Sequence, residues 1–155
     1  MKLDIRHGAN PCDFKSYDTE RLRKDFLVTH LFVPGEIRMT YSHIDRIITG
    51  GACPTIPLSL ECGKEIGTEF FLQRREMGII NVGAPGSVTV DGERVSLKKM
   101  DGLYLGAGGK NIVFESDKHD DHAHFYFSST PAHTSYPNCY IDMEKAKKVK
   151  MGEPE

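Results

Sequence analysis

The run from His119 to His124 concentrates side chains that could bind a metal ion. His122 and His124 are two positions apart, so on a strand they would share one face. Two neutral imidazoles can bind a transition metal, and Asp120 or Asp121 could provide a third ligand. The alternative is a solvent-exposed loop that leads into the outer face of a strand, because most exposed histidines bind no metal.

A second group, Tyr41, His43, Asp45 and Arg46, could transfer a proton. A histidine with an aspartate two residues later can form an oriented acid–base pair, which makes His43 a catalytic candidate with Arg46 beside it. In the alternative, Asp45 and Arg46 form a structural ion pair where a strand begins. Such local pairs perturb pKa values without taking part in catalysis.

A third group, Arg74, Arg75 and Glu76, places three charges between two apolar runs. Arginine can bind a carboxylate with two parallel hydrogen bonds, so Arg75 and Arg74 are candidates for binding the carboxylate of a substrate. On a strand, Arg74 and Glu76 would share one face and Arg75 would take the other. The alternative is a buried ion-pair network or an interface between subunits, where arginine is also common.

A fourth candidate is His133, which lies between Pro131 and Pro137. Proline disfavours a helical residue before it, so this segment is expected to be extended. The segment could hold His133 at a site, or it could only pack along the outside of the barrel as a structural strap.

The stretch that must position these groups runs over residues 70–97. Asp91-Gly92 is the signature of a two-residue turn whose twist suits a β-hairpin. With that turn, strands over 87–90 and 94–97 place three valines and Leu97 on one face with Glu93. Thr89, Arg94 and Ser96 fall on the other face. The face with the valines is therefore predicted to be buried, and the other face is predicted to be exposed to solvent.

The remaining elements are short and separated by glycine and proline. A helix is predicted over 19–26, capped by Asp18 or Thr19, and a second over 142–149, capped by Asp142. Residues 1–16 are predicted to be irregular. Further strands are predicted over 30–33, 36–41, 47–49 (ended by Gly50-Gly51), 55–61, 70–76, 79–82, 101–106, 112–115 and 123–128.

Composition narrows the class of protein. The chain has 155 residues, of which 27% are charged, as is normal for one globular domain. Its net charge of -2 gives no excess of basic residues that would indicate nucleic-acid binding. No run of about 18 apolar residues exists, so no membrane span is expected. The first residues lack the apolar core of a signal peptide. Four cysteines without a Cys-x-x-Cys spacing predict free thiols in a reducing compartment, hence a cytoplasmic protein.

About ten short strands with glycine corners predict an all-β fold, a cupin-type jelly-roll barrel with short flanking helices. The predicted single domain has an arm and short helix over residues 1–28, a barrel over 29–128, and a strap and tail over 129–155. A cupin metal site usually has a glutamate a few residues after its His-x-His, whereas the next glutamate after His124 is Glu144.

Several blocks, in order, resemble the 5-keto-4-deoxyuronate isomerase (4-deoxy-L-threo-5-hexosulose-uronate ketol-isomerase) family, and together they cover nearly all of the chain. These blocks are Asp18-Thr19-Glu20-Arg21-Leu22-Arg23 with Phe26-Leu27, Tyr41-Ser42-His43-Ile44-Asp45-Arg46-Ile47-Ile48 with Gly50-Gly51, Phe71-Leu72-Gln73-Arg74-Arg75-Glu76-Met77-Gly78-Ile79-Ile80-Asn81-Val82-Gly83, Asp91-Gly92, Leu103-Tyr104-Leu105-Gly106, and Pro131-Ala132-His133 with Tyr136-Pro137.

The resemblance implies that this chain is the N-terminal half of a bicupin enzyme. Members interconvert 5-keto-4-deoxyuronate and 2,5-diketo-3-deoxygluconate in pectin and uronate breakdown, and are typically zinc-bound homohexamers. The family's zinc ligands, a His-x-His, a glutamate and a later histidine, lie in the second cupin, so they are expected beyond Glu155. At positions 122–124 the family usually reads Pro-Ala-Lys, so His122 and His124 are departures and no metal site is expected here.

The predicted function is therefore the N-terminal cupin domain of an aldose–ketose type isomerase, catalytically silent when alone. Its expected partners are a small uronate and copies of itself. One alternative is a non-catalytic module that binds sugar acids or assembles oligomers. Another is a stand-alone metallo-cupin using His119, His122 and His124. The candidate contacts at the edge of a site are His43, Arg46, Arg74, Arg75, Glu76 and His133.

Overall fold

A computed structural model describes residues 1–149 and 151–152, and it has eleven strands in that range. The single α-helix of the described residues, α1, is Thr19–Phe26, and two 3-10 turns lie at Phe14–Ser16 and Lys64–Ile66. The strands are β1 (Lys2–Arg6), β2 (Glu36–Ser42), β3 (Ile48–Cys53), β4 (Leu58–Ser59), β5 (Arg75–Asn81), β6 (Gly86–Val90), β7 (Glu93–Leu97), β8 (Gly102–Leu105), β9 (Ile112–Ser116), β10 (Phe125–Pro131) and β11 (Cys139–Ile141).

Two sheets face each other. Seven strands form one sheet in the order β1-β2-β3-β10-β5-β8-β11, and four form the other in the order β4-β9-β6-β7. Of the eight strands from β3 to β10, four lie in the first sheet (β3, β10, β5 and β8) and four form the second (β4, β9, β6 and β7), which is the jelly-roll topology. The predicted all-β, cupin-type jelly-roll barrel is confirmed, with β1, β2 and β11 added at its edges.

The predicted Asp91-Gly92 hairpin is confirmed. Asp91 and Gly92 both have positive φ, 49° and 92°, as a primed two-residue turn requires. Val88 pairs with Val95 across β6 and β7. Val88 and Val90 are buried and Arg94 is exposed, so the face predicted to be buried does point into the barrel.

Four phenylalanines, Phe71, Phe114, Phe125 and Phe127, fill the centre of the barrel and are each at most 1% exposed. The Phe114 ring stacks on Phe127 with 6.0 Å between centroids and lies 5.4 Å from Phe125. Such large rings dominate the energy of a core because each buries a large apolar area. Phe125 and Phe127 are two positions apart on β10, so both point inward.

The helix predicted over residues 19–26 is confirmed. Asp18 is its N-cap, and its carboxylate accepts a hydrogen bond from the Arg21 amide at 2.8 Å. Its apolar residues Leu22 and Phe26 remain 38% and 54% exposed. The helix therefore lies on the outside of the domain and contributes nothing to the core.

Gly50 and Gly51 were predicted to end a strand, and that prediction was wrong because β3 continues through both. A Cβ at Gly50 would collide with the Phe127 ring and lie 2.7 Å from the Arg38 carbonyl oxygen. A Cβ at Gly51 would lie 2.7 Å from the Leu31 carbonyl oxygen. The two glycines are therefore explained by neighbouring atoms that leave no room for a side chain, and they do not mark a turn.

Four further strand predictions were wrong, one because no strand forms and three in extent. Residues 30–33 form no strand because they cross the outer face of the sheet, where Phe32 stacks on His124 with 5.0 Å between ring centroids. Strands predicted over 70–76 and 79–82 are one strand, β5, which begins only at Arg75. The strand predicted over 55–61 is reduced to β4.

The predictions for both ends of the chain were also wrong. Residues 1–16 were predicted to be irregular, but β1 pairs in parallel with β2 from Lys2 to Arg6. Residues 139–141 form β11, which adds to the edge strand β8. The helix predicted from Asp142 is a single turn, in which the Asp142 carboxylate caps the Glu144 amide at 2.8 Å.

Across residues 1–149 and 151–152, no helix is long and apolar enough to cross a membrane. The four cysteines are all free, as predicted.

Candidate functional site

Arg75 is the most unusual charged residue of the barrel. It is the first residue of β5 and is only 5% exposed, on the same inward face as Met77 and Ile79. Its Nε donates to the Ser129 hydroxyl at 3.1 Å, and its Nη2 donates to the Ser129 carbonyl at 2.8 Å. Nη2 also donates to the Arg46 carbonyl at 2.5 Å. The guanidinium thereby ties β5 and β10 to the turn that follows β2.

That turn has an uncommon backbone. Asp45 and Arg46 both have positive φ, 53° and 54°, and they lie in the connection between β2, which ends at Ser42, and β3, which begins at Ile48. Side chains other than glycine, asparagine and aspartate rarely adopt this conformation. The hydrogen bond from Arg75 to the Arg46 carbonyl holds the turn in place. Asp45 and Arg46 form no ion pair with each other in the described chain, so the alternative predicted for them was wrong.

No carboxylate of the described residues pairs with Arg75. Burial lowers the pKa of this guanidinium, and the nearby Tyr41 and Cys62 side chains oppose that change. Its charge lies 6.0 Å from the centre of the Tyr41 ring. The third nitrogen, Nη1, donates to no described residue. A buried cation without a counter-ion, with two N–H groups unused, is suited to an anion such as a carboxylate.

The neighbours of Arg75 in sequence lie apart from this centre. Arg74 precedes β5 and is exposed, so it does not join Arg75 at one site. Glu76 points to the outer face of the sheet, where its carboxylate accepts a hydrogen bond from the Tyr104 hydroxyl at 2.7 Å. The buried ion-pair network predicted as an alternative for these three residues does not form, because Arg75 has only neutral partners.

The Glu76–Tyr104 hydrogen bond has a counterpart at the edge of the sheet. There the Tyr140 hydroxyl donates to the Asp101 carboxylate at 2.7 Å. The hydrogen bond to Glu76 raises the pKa of Tyr104 to about 12, and the bond to Asp101 raises the pKa of Tyr140 to about 12. Both phenols therefore fix β8 and β11 to their neighbours only while they are protonated.

We expect two of the six tyrosines to ionise late, near pH 12, when phenolate absorbance is followed in the folded chain. Because folding raises these pKa values, the stabilisation is complete below about pH 10, the unfolded value. It is lost as the pH rises through 12. Tyr104→Phe should remove one late phenol, and unfolding in urea should abolish the class. A folded chain whose six phenols ionise together would contradict this prediction.

The remaining histidine candidates are exposed. His43 stacks on His7 with 4.3 Å between ring centroids, and its amide donates to the Arg6 carbonyl at 2.8 Å. Its ring makes no hydrogen bond to Asp45, so the predicted acid–base pair is not assembled. His133 is exposed in the segment that links β10 to β11.

The three histidines of the predicted alternative metal site have different surroundings. The His119 side chain is 89% exposed, and His124 lies under Phe32 on the outer face. The Nδ1 atom of His122 is buried without a hydrogen-bond partner. Within the described ranges, no group of three or more His, Cys, Asp or Glu side chains is arranged to hold a metal ion.

Sequence reasoning missed Ser129 and Tyr104 as partners of the charged residues. Thr130 and Pro131 of β10 pair with Glu76 and Arg75, which brings Ser129 beside the guanidinium. This contact joins residues 54 positions apart, so it cannot be predicted from a local sequence pattern. Tyr104 could have been suspected, because an exposed strand face gains from a cross-strand hydrogen bond.

Comparison with known proteins identifies a group of close relatives. The chain is 53% identical over 144 residues to a 4-deoxy-L-threo-5-hexosulose-uronate ketol-isomerase of Lachnospira eligens, covering 92% of this chain and 51% of that protein. Proteins of the same name from Enterococcus faecalis and Caldicellulosiruptor bescii are 45% and 46% identical, with 97% of this chain and 55% of each relative covered. The resemblance predicted from the sequence is confirmed, and the chain spans about half the length of these relatives.

No family model matches the chain. Among solved structures, an RmlC-like cupin protein from Desulfovibrio desulfuricans is similar at 9% identity and a TM-score of 0.45, covering 63% of this chain and 82% of that one. A cupin protein from Bacteroides fragilis is similar at 15% identity and a TM-score of 0.39, covering 68% and 77%.

Proposed function

We propose, from the confirmed similarity of nearly the whole chain to half of each 4-deoxy-L-threo-5-hexosulose-uronate ketol-isomerase, that this chain is the N-terminal cupin domain of such an isomerase. The observation that carries the proposal is the identity of 42–53% over at least 92% of the chain. The reaction would interconvert 5-keto-4-deoxyuronate and 2,5-diketo-3-deoxygluconate in uronate breakdown. In a ketol isomerisation one proton moves from the carbinol carbon to the neighbouring carbonyl carbon, and the hydroxyl proton moves to the former carbonyl oxygen, so that atoms and electrons balance without an oxidant.

The described residues do not fit the zinc ion that the family resemblance implies. Phenylalanine provides no metal ligand, and four phenylalanines occupy the centre of the barrel, where a cupin would hold its metal. We therefore place the zinc ligands, and the groups that transfer the proton, in the part of the relatives that this chain does not cover.

With zinc binding and proton transfer assigned to that other part, Arg75 is the residue of this chain best suited to bind the substrate. A uronate carries a carboxylate, and the Arg75 guanidinium has no carboxylate partner of its own among the described residues. The same guanidinium orders the turn at Asp45 and Arg46, so substrate binding and the shape of that turn would be linked. We further propose a cytoplasmic, homo-oligomeric enzyme, hexameric as the resemblance implies.

A second candidate function is a non-catalytic module that binds sugar acids or assembles subunits. The buried phenylalanine rings favour it, because they occupy the centre of the barrel, where a substrate would otherwise bind. The two proposals differ in the activity expected when the second half of a relative is joined to this chain. The first predicts turnover of the uronate, and the second predicts binding without turnover.

We expect the purified chain to show no turnover of 5-keto-4-deoxyuronate when it is alone. Turnover is expected only when the chain is joined to the second half of a relative such as the Lachnospira eligens protein. A saturable rise in melting temperature with uronate, but no activity in the joined protein, would support the binding module instead. Turnover by the isolated chain would contradict both proposals.

A further inference from the structure

A cleft far from Arg75 in sequence lies between the N-terminal strand β1 and helix α1. We name it the arm groove. Its volume of about 530 Å³ falls within the roughly 300–1,000 Å³ of small-molecule pockets. None of the candidate site residues predicted from the sequence lines it, and residues 1–16 were predicted to be irregular.

The arm groove carries a surplus of positive charge. Four basic and two acidic side chains line it: Arg6, Arg21, Arg23, Lys24, Asp4 and Asp25. The chain as a whole has a net charge of -2, so this local surplus does not follow from composition. A concave surface lined by one sign of charge raises the local concentration of ions of the other sign.

Both acids in the arm groove are already neutralised. Asp4 accepts from the Arg6 Nε at 2.8 Å, and Asp25 lies 3.6 Å from the Arg21 Nε. Neither Arg23 nor Lys24 forms an ion pair with a carboxylate of the described chain. These two cations are therefore free to pair with an external anion.

The arginines with partners are held in fixed positions. The Arg21 guanidinium lies 4.0 Å from the centre of the Tyr17 ring and donates to the Tyr17 hydroxyl at 3.2 Å. The Arg6 side chain is only 19% exposed, and it also donates to the Asp25 carbonyl at 3.4 Å. Groups that are ordered before binding lose less conformational entropy when a ligand arrives.

The groove also has an apolar part. Ile5 and Leu27 line it and remain 39% and 40% exposed, although side chains of this kind are normally covered. An apolar surface beside a few polar groups is the usual composition of a small-molecule site. A sugar ring, with non-polar C–H faces and polar hydroxyls, has the matching composition.

We propose that the arm groove binds a small hydroxylated anion, either a sugar acid or a sugar phosphate. Its charged group would pair with Arg23 and Lys24, since arginine and lysine both bind carboxylate and phosphate. Its hydroxyls would donate to the carboxylates of Asp4 and Asp25, and its ring would lie over Ile5 and Leu27. This site does not depend on the proposed isomerase function or on Arg75.

The test is calorimetric titration of the purified chain with galacturonate, glucose 6-phosphate, inorganic phosphate and neutral galactose at constant ionic strength. We expect saturable one-to-one binding of galacturonate or glucose 6-phosphate, at least tenfold tighter than that of galactose. Whichever of the two binds more tightly identifies the charged group. Inorganic phosphate should bind more weakly than the better of them, because it lacks the hydroxylated ring.

Two double variants with the same change of charge separate the groove from the rest of the surface. Arg23→Gln with Lys24→Gln should weaken binding at least tenfold, and its circular dichroism should be unchanged because both side chains are exposed. Lys98→Gln with Lys99→Gln, in the turn between β7 and β8, should leave binding unchanged. Equal losses in both variants, equal binding of galactose, or no saturable binding of either anionic sugar would overturn the proposal.

Discussion

Replacing Phe127 by alanine is expected to lower the free energy of unfolding by about 3–5 kcal/mol, the usual cost of truncating a buried aromatic ring. Phe127 is fully buried, stacks on Phe114, and fills the space above Gly50 that a Cβ would otherwise occupy. The strand on either side is held by backbone pairing with β3 and β5, so the site cannot collapse to fill the cavity. Urea unfolding followed by circular dichroism measures the change.

Phe26→Ala provides the matched control, because it removes the same ring from a site that is 54% exposed. We expect that variant to change the stability by no more than about 0.5 kcal/mol, as for most surface substitutions. Similar losses for the two variants would mean that Phe127 does not lie in a packed core.

The second large effect is expected at Arg75. Changing it to methionine removes three hydrogen bonds and leaves the carbonyls of Arg46 and Ser129 without their donor. Bonds from a charged donor are worth about 1.5–3 kcal/mol each, and relief of the buried charge offsets part of the loss, so we expect a net loss of about 2–4 kcal/mol. The same unfolding experiment measures it.

Arg74→Met is the control for this substitution, since Arg74 is the exposed neighbour and loses the same group. Its expected effect is within about 0.5 kcal/mol of zero. If Arg75→Met were as mild as Arg74→Met, Arg75 would not hold the turn at Asp45 and Arg46. The candidate carboxylate site would then lack the hydrogen bonds that are proposed to hold Arg75 and this turn in position.

The parts of the fold that could be predicted are those specified by neighbouring residues. Asp91-Gly92 determines its own turn and thereby the register of β6 and β7. Asp18 determines where α1 begins, because its side chain needs only the Arg21 amide three residues later. In both cases the information lies within a few residues.

The edge strands show what local patterns miss. β1 alternates apolar Leu3 and Ile5 with charged residues, so the period of two was visible, but its charges favoured a surface segment. Its pairing with β2 spans more than thirty positions. β11 has only three residues, all exposed, and carries no pattern that could have predicted it.

The error at residues 142–149 has a different cause. Asp142 does cap the first turn, as the sequence predicted, but the following residues 143–149 are exposed. A short helix is marginal in water unless a tertiary contact covers its apolar side. The capping signal was therefore correct while the length of the helix was wrong.

The candidate site depended on contacts that no spacing encodes. The sequence correctly separated Arg75 from its neighbours by strand alternation, and the structure places Arg75 inside and Glu76 outside. Which groups would satisfy the buried guanidinium could not be read from the sequence. That outcome depends on the register of β10 against β5 and on the position of the turn after β2.

The proposed assignment joins this phenylalanine-filled barrel to a second half that carries the chemistry. The most direct test is a chimera in which this chain replaces the matching half of the Lachnospira eligens ketol-isomerase, with which it is 53% identical. We predict that the folded chimera converts 5-keto-4-deoxyuronate at a rate within about tenfold of the parent enzyme, a difference of about 1.4 kcal/mol in activation free energy. A chimera that folds and binds zinc as the parent does, but shows no turnover, would contradict the assignment.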